Sequence, residues 1–212
     1  MRRFADLSIS AFVDAIASPE PTPGGGTVAA VAGAIGASLL MMVAALPKTR
    51  QNTDAEREAL AKVRASLTPL RDRLLALADE DSAAYDSVVA AYRLPKGTDE
   101  EKSARKAAIQ QAMRAATDVP LETLRMTESV VEHGGSVAQF GNPSAASDVR
   151  VALELLEAAA AGAAANVETN LTSVDEPAYR KDVASVLLEV SNALTEHIAS
   201  ARAAVTQEIQ AG

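Results

Sequence analysis

The sequence predicts an all-α fold, a single-domain bundle of long helices. Helix start signals recur along the 212 residues, and no sustained alternation of β-branched residues indicates a strand. Alanine dominates and only 3% of residues are aromatic, so the helices must pack through small side chains at close approach. No linker or internal repeat interrupts the pattern, so we expect one domain over residues 1–212.

Composition excludes several classes of function. A net charge of -8 argues against a nucleic-acid-binding protein, which needs basic surface to neutralise phosphates. The absence of cysteine excludes disulfides, zinc-thiolate sites and thiol nucleophiles. The N-terminus does not read as a signal peptide, and we therefore expect a cytoplasmic protein.

The first three predicted helices cover residues 7–18, 25–46 and 53–93. The second is ended by Pro47, and the capping-box pair Thr53 and Glu56 opens the third. The second is also uncharged and long enough to span a membrane, which takes about 20 apolar residues. It is rich in alanine rather than leucine, and its flanks show no cationic bias, so we predict a buried central helix and no membrane contact.

Four further helices are predicted over residues 98–116, 118–134, 144 or 147 to 171, and 175 nearly to the C-terminus. Thr98 and Glu101 repeat the capping box, and Asp118 caps the next helix with Pro120 in its first turn. The pair Gly134-Gly135 is expected to end that helix. Ser144 or Ser147 is the expected cap of the sixth.

The second helix carries a face of small residues on which another helix can approach closely. This face comprises Gly26, Ala29, Gly33, Gly36, Ala37 and Leu40. Either a homodimer seam or packing inside one subunit would use such a face, and the sequence favours neither.

The third helix places a carboxylate in an apolar seam. Residues at a spacing of seven are Leu60, Leu67, Leu74, Asp81 and Val88. A carboxylate withdrawn from water either gains a raised pKa or recruits a partner, and such groups concentrate at functional sites. Tyr85, one turn further on, reaches the same space. Solvation of Asp81 at a gap, or pairing with a core arginine, is the structural alternative.

Two other features are compatible with a ligand site. Asn166 and Asn170 lie one turn apart on an otherwise apolar helix face, where amides either bond a neighbouring helix or meet a polar ligand. Gly24, Gly25 and Gly26 open a helix without side chains, which lets an anion or a planar ring approach its N–H groups. A plain proline-glycine turn is the alternative interpretation of the glycines.

Other chemistries find no support in the sequence. The glycines are not followed by the lysine of a phosphate-binding loop, and no serine-hydrolase motif is present. His133 and His197 lie far apart and match no metal-binding spacing, so we predict no metal site.

Seven segments, taken in order, cover nearly the whole chain and carry a family resemblance. They are PTPGGGTVAA (21–30), DSAAY (81–85), AYRLPK (91–96), ATDVPL (116–121), GN (141–142), SD (147–148) and NVETN (166–170). Together they resemble the cyclodeaminase/cyclohydrolase family. It comprises the C-terminal domain of formiminotransferase-cyclodeaminase and stand-alone bacterial methenyltetrahydrofolate cyclohydrolases. The resemblance implies an all-helical homodimer.

The resemblance also implies a one-carbon derivative of tetrahydrofolate as substrate, with no further cofactor. Asp81 would be the acid/base and Tyr85 would orient it. The implied substrate-binding residues are Gly24, Gly25, Gly26, Arg93, Lys96, Asn142, Asp148, Asn166 and Asn170. Within that set the glycines would line the approach of the ring, and Asp148 with the two helix asparagines would pair with the pterin. Arg93 and Lys96 would hold the glutamate tail or be solvated surface charges.

Three functions are compatible with this resemblance. The first is hydrolysis of 5,10-methenyltetrahydrofolate to 10-formyltetrahydrofolate, which the lack of a formiminotransferase domain favours. The second is formiminotetrahydrofolate cyclodeaminase, which closes the same ring and releases ammonia. The third is a non-catalytic helical dimer whose buried polar groups are structural.

Overall fold

A computed structural model of the chain describes residues 3–46 and 52–211. The described residues form a helical bundle without a strand, which confirms the all-α prediction and the single domain. The helices are α1 (Ile9–Ile16), α2 (Gly25–Ala44), α3 (Asp54–Tyr92), α4 (Asp99–Val131), α5 (Gly134–Phe140), α6 (Ala146–Leu171) and α7 (Pro177–Ala211). Short 3-10 turns occur at Phe4–Asp6 and Pro143–Ala145.

Both predicted capping boxes are present. The Thr53 hydroxyl accepts a hydrogen bond from the Glu56 backbone, and Glu56 accepts one from the Thr53 backbone. Thr98 and Glu101 make the same pair at the start of α4. These caps satisfy N–H groups that a helix start leaves without partners. The predicted helix end at Pro47 lies outside the described residues.

The predicted break before Asp118 is wrong, because α4 runs through it without interruption. A proline inside a helix removes one backbone donor, and for Pro120 the carbonyl left without that donor is the one of Ala116. The side chain of Asn170 supplies the missing bond, since its Nδ2 donates to Ala116 O at 2.7 Å. Asp118 caps nothing and instead accepts a hydrogen bond from the Tyr179 hydroxyl at 2.7 Å.

The region between α4 and α6 also differs from the prediction. Gly134 begins α5 instead of only ending a helix, and it is buried where a Cβ would lie 3.2 Å from Ala201 Cβ. Neither Ser144 nor Ser147 caps α6, which starts after Ala145 without a side-chain cap. The Ser144 backbone donates to Asn142 Oδ1, so the asparagine closes a short turn there.

Helix α2 is the central element and packs mainly on α3 and α6. Its length and apolar composition would suit a membrane span, but 61% of its most apolar window is buried inside the bundle. The predicted buried central helix is confirmed. The small-residue face packs within the subunit: a Cβ on Gly36 would lie 2.7 Å from Leu156 Cγ, and one on Gly33 would lie 3.3 Å from Leu74.

We expect Gly36→Ala to destabilise the fold by about 1–3 kcal/mol, because the added methyl overlaps Leu156 of α6. The matched control is Gly135→Ala, since a Cβ there meets nothing within 4 Å. The control should be neutral or slightly stabilising. Urea unfolding followed by circular dichroism measures both variants. Equal midpoints would contradict the close packing of α2 on α6.

Candidate active site

A cleft of about 300 Å³ opens at the N-terminus of α2. The loop before α2, the start of α2, the C-terminal third of α3, the middle of α4 and the end of α6 enclose it. The residues that line it are Pro21, Thr22, Gly24, Gly25, Gly26, Asp81, Tyr85, Val88, Met113, Ala116, Asn166 and Asn170. Seven of the predicted site residues, including all three glycines, therefore meet in one place.

Asp81 lies against the first turn of α2. The seven-residue spacing that buries Leu67 and Leu74 places Asp81 on the same side of α3. A Cβ on Gly26 would lie 2.6 Å from Asp81 Cγ, so only glycine leaves room for the carboxylate. The Thr27 hydroxyl donates to Asp81 Oδ2 at 3.0 Å. The glycine run therefore has a structural reason at Gly26, which is the close approach of a carboxylate to a helix start.

The environment of Asp81 opposes its ionisation. Burial raises the pKa of Asp81 above its ordinary value of 3.8, and hydrogen bonds from the Thr27 side chain and backbone limit the rise. The alternative of pairing with a core arginine is wrong, since no basic residue is among those that line the cleft. A carboxyl group with a raised pKa in a polar cleft is suited to accepting and returning a proton.

Tyr85 shares the cleft but does not hold Asp81. Its ring is 42% exposed, and among the described residues no hydrogen bond joins its hydroxyl to the carboxylate. The side chain that hydrogen-bonds the carboxylate is that of Thr27, a residue that the sequence analysis missed. The available signal was a hydroxyl residue directly after the glycines, one turn into an otherwise apolar helix.

Asn166 and Asn170 both line the cleft. Asn166 Nδ2 donates to Gly162 O at 2.8 Å within α6, and Asn170 Nδ2 donates to Ala116 O at 2.7 Å. Because each amide nitrogen is engaged with a carbonyl, each Oδ1 atom remains able to accept. The two asparagines lie one helical turn apart on α6, so the cleft holds two amide side chains side by side.

Arg93 and Lys96 lie beyond the cleft, at the C-terminal end of α3 and in the loop that follows. Both are exposed and neither lines the cavity. Arg93 is five residues past Val88, which does line it. A rise of 1.5 Å per residue places Arg93 about 18 Å along the helix from Asp81.

Asn142 and Asp148 lie at the opposite end of the bundle, and the structure does not bring them to this cleft. Asp148 is in the first turn of α6, about 27 Å along that helix from Asn166. Asn142 follows Gly141, which abuts Val43 near the C-terminal end of α2. The sequence alone could not reveal this separation. Because α2 and α6 run antiparallel, the start of α2 at Gly25 meets the end of α6 at Asn166, far from Asp148.

Two polar features outside the cleft have structural explanations. A wider groove of about 680 Å³ along α4 contains Lys106 and Arg114, but they pair with Asp175 at 3.3 Å and with Glu176 at 2.7 Å. It has neither a partly buried carboxylate nor a glycine-lined wall, so the cleft at Asp81 is the stronger candidate for the active site.

The second feature links α4 to α7. Glu128, Glu132 and His197 bring ligand-type atoms within 4.8 Å of one another, and His197 Nδ1 lies 3.1 Å from Glu128 Oε1. Burial and the neighbouring Glu132 raise the pKa of Glu128, while His197 opposes the rise. We assign this group to helix packing, and the absence of a metal stays a prediction.

This all-helical chain, with its partly buried carboxylate at a glycine-opened helix, also matches a known family in sequence. The sequence profile of the formiminotransferase-cyclodeaminase family fits residues 8–189, and the chain belongs to this family. The methenyltetrahydrofolate cyclohydrolase of Methylorubrum extorquens is 40% identical over 195 residues, which cover 90% of this chain and 93% of that protein.

A longer relative and a solved structure support the same family assignment. The formimidoyltransferase-cyclodeaminase of Gallus gallus is 32% identical to this chain over 179 residues. The matched region covers 84% of this chain but only 33% of that longer protein. The crystal structure of formiminotetrahydrofolate cyclodeaminase from Thermotoga maritima superposes with a TM-score of 0.85 at 26% identity, covering 96% of this chain and 98% of that one.

Asp81→Asn should raise the unfolding temperature at pH 7. The folded protein binds the Asp81 proton more tightly than the unfolded chain, because burial raises the folded pKa above 3.8. The resulting stabilisation is complete below that value and is lost as pH rises through the folded pKa. Asparagine does not ionise, so its advantage should shrink toward about pH 4. Thermal unfolding at both pH values tests this, and identical unfolding temperatures at pH 7 would contradict it.

Proposed function

We propose that this protein is a methenyltetrahydrofolate cyclohydrolase, which hydrolyses 5,10-methenyltetrahydrofolate to 10-formyltetrahydrofolate. The observation that carries the proposal is Asp81, a carboxylate with a raised pKa held against Gly26 in a cleft with two amide acceptors. The relative from Methylorubrum extorquens matches over nearly its whole length and bears this name. The proposal includes a cytoplasmic location and no cofactor beyond the folate.

The reaction needs one group that takes a proton and returns it. Water attacks the carbon between N5 and N10 while ionised Asp81 accepts a proton from it, and a carbon–oxygen bond forms. The adduct then loses its hydroxyl proton as the bond from carbon to N5 breaks, and protonated Asp81 donates to N5. The formyl group stays on N10, and one proton in total is released to solvent. General acid–base catalysis of this kind contributes about 10²–10⁴-fold.

The cleft also suits the pterin ring. The pyrimidinone edge of a pterin carries an exocyclic amino group and a ring N–H, both donors. In the proposed complex the Oδ1 atoms of Asn166 and Asn170 accept from these donors, while their Nδ2 atoms keep their bonds to Gly162 O and Ala116 O. The glycines leave the start of α2 open to a flat ring. We therefore assign the asparagines to pterin recognition and Gly24, Gly25 and Gly26 to the wall of the ring site.

Arg93 and Lys96 are assigned to the glutamate tail. They are cations at the end of α3, which runs on from Asp81 past Val88 at the cleft. A tail directed along α3 would reach them, where carboxylates bind basic side chains. Asn142 and Asp148 are left out of the proposed site, because they lie at the other end of the bundle.

Formiminotetrahydrofolate cyclodeaminase activity is the second candidate. It is favoured by the names of the Thermotoga maritima structure and the Gallus gallus relative. N10 would attack the formimino carbon, and Asp81 would donate a proton to the departing ammonia. This reaction would use the same cleft and the same residues as the cyclohydrolase reaction. A non-catalytic dimer loses support, since the relatives named above are enzymes.

A homodimer is part of the proposal. Val28, Ile35 and Met42, spaced by seven residues, form an exposed apolar stripe along α2, and each is at least 37% exposed. Val151 of α6 is 51% exposed. An uncharged stripe of this kind along a helix is typical of an interface. The stripe starts one turn from Gly24, so the partner would lie close to the cleft.

Asp81→Asn should abolish turnover and leave the fold intact, because the amide keeps the shape of the carboxyl but accepts no proton. We expect kcat to fall by at least about 10²-fold. Loss of the near-ultraviolet band of 5,10-methenyltetrahydrofolate measures it, at a pH where spontaneous hydrolysis is slow. Asp86→Asn is the matched control on the exposed side of α3 and should retain full activity.

Wild-type activity in Asp81→Asn would remove Asp81 from the mechanism. If wild type does not consume the methenyl substrate, the assay is repeated with 5-formiminotetrahydrofolate. Appearance of the same band together with released ammonia would then assign the cyclodeaminase. Inactivity with both substrates would refute both enzymatic proposals.

Ile35→Glu should convert the dimer to a monomer, because it places a charge in the centre of the α2 stripe. Sedimentation velocity at several concentrations measures the mass. Leu188→Glu is the control, since Leu188 is 65% exposed on α7, away from the stripe. A wild-type monomer, or a dimer that survives Ile35→Glu, would contradict the proposed interface.

A further inference from the structure

The hydroxyl of Thr27 has three partners within hydrogen-bond distance. Its Oγ1 lies 3.0 Å from Asp81 Oδ2, 3.2 Å from Ala78 O and 3.2 Å from Ser82 Oγ. Thr27 is fully buried and Ser82 is 3% exposed. A hydroxyl carries one proton and accepts through its lone pairs, so it donates to only one of these partners at a time.

The three partners of Thr27 Oγ1 differ in whether they can accept a hydrogen bond from it or donate one to it. A backbone carbonyl only accepts, so Thr27 must donate when it bonds Ala78 O. An ionised carboxylate also only accepts, whereas a protonated carboxyl can donate to Thr27 Oγ1. The Ser82 hydroxyl can do either. Rotation about one Cβ–Oγ1 bond therefore lets Thr27 bond Asp81 in both of its protonation states.

We propose that Thr27 is a positioning residue that keeps Asp81 in one orientation through the catalytic cycle. Its hydroxyl donates to Asp81 when the carboxylate is ionised. When Asp81 is protonated, the hydroxyl turns to Ala78 O or Ser82 and accepts from Asp81. The requirement for both states rests on the proposed function, which has Asp81 take and return a proton.

Thr27 is the residue beside the cleft that is placed to hold Asp81 in one orientation. Among the described residues, no charged side chain of α2, α4 or α6 lines the cleft, and Tyr85 of α3 is its other titratable group. Burial excludes water from the Thr27 side, where an unpaired carboxyl oxygen would be costly. The hydrogen bonds of Thr27 are also what restrains the raised pKa of Asp81.

The test compares Thr27→Val, which keeps the shape and removes the hydroxyl, with Thr27→Ser, which keeps the hydroxyl. The Asp81 carboxyl carbon is titrated by ¹³C NMR in the ligand-free protein, and its signal is assigned by its absence in Asp81→Asn. Hydrogen bonds to a charged acceptor are stronger than those to a neutral one. The Asp81 pKa should therefore rise in Thr27→Val and stay near the wild-type value in Thr27→Ser.

Kinetics provide the second measurement. In Thr27→Val the acid limb of the kcat profile should move to higher pH, and kcat at neutral pH should fall about tenfold. KM should change by less than about twofold, because the pterin contacts remain. Thr27→Ser should restore both the profile and kcat. A purely structural role of the hydroxyl would lower kcat in Thr27→Val without moving the acid limb.

Either of two outcomes would overturn the proposal. One is an unchanged Asp81 pKa in Thr27→Val, and the other is a Thr27→Ser variant that behaves like Thr27→Val. If Thr27→Val does not fold, Thr27→Ala removes the same hydroxyl with less apolar bulk and takes its place. The titration needs no substrate, so failure of the proposed enzymatic activity is distinguished from failure of the Thr27 assignment.

Discussion

The close approach of α2 to its neighbours is the constraint on which the rest of the structure depends. Gly33 and Gly36 leave room for Leu74 of α3 and Leu156 of α6, and larger side chains would push those helices away. The same tight packing continues to the start of α2, where Gly26 admits Asp81. The core and the cleft therefore share one physical cause, which is a helix whose buried face consists mostly of glycine and alanine.

Asn170 couples the continuity of α4 to the candidate site. Its amide nitrogen donates to Ala116 O, the carbonyl that Pro120 leaves without a backbone donor. Asn170 also lines the cleft that Asp81 and Gly26 line. One side chain thus satisfies a defect inside α4 and, in the proposed enzyme, recognises the pterin. The hydrogen bond to Ala116 O fixes the position of the Asn170 side chain before any ligand binds.

Asp81 illustrates the tension between stability and activity. Burial opposes its charge, and only Thr27 and the first turn of α2 compensate. A neutral residue would be easier to accommodate, but it would not exchange a proton. Functional sites commonly carry such locally unfavourable groups, which the surrounding packing holds in place. Here the surrounding packing is the contact of α2 with α3.

Local sequence determined the helical class, both capping boxes and the unusual position of Asp81, since each depends on spacings of three to seven residues along one helix. It did not determine that α4 continues through Pro120, because the donor to the freed Ala116 carbonyl is Asn170, 54 positions from Ala116 in the sequence. Nor did it separate Asn166 from Asp148, which share a helix but lie at opposite ends of it. Only the antiparallel packing of α2 and α6 decides which end meets Gly25, and only the tertiary structure places Thr27 beside Asp81. Contacts between distant segments are set by the packing of whole helices, which no local pattern encodes.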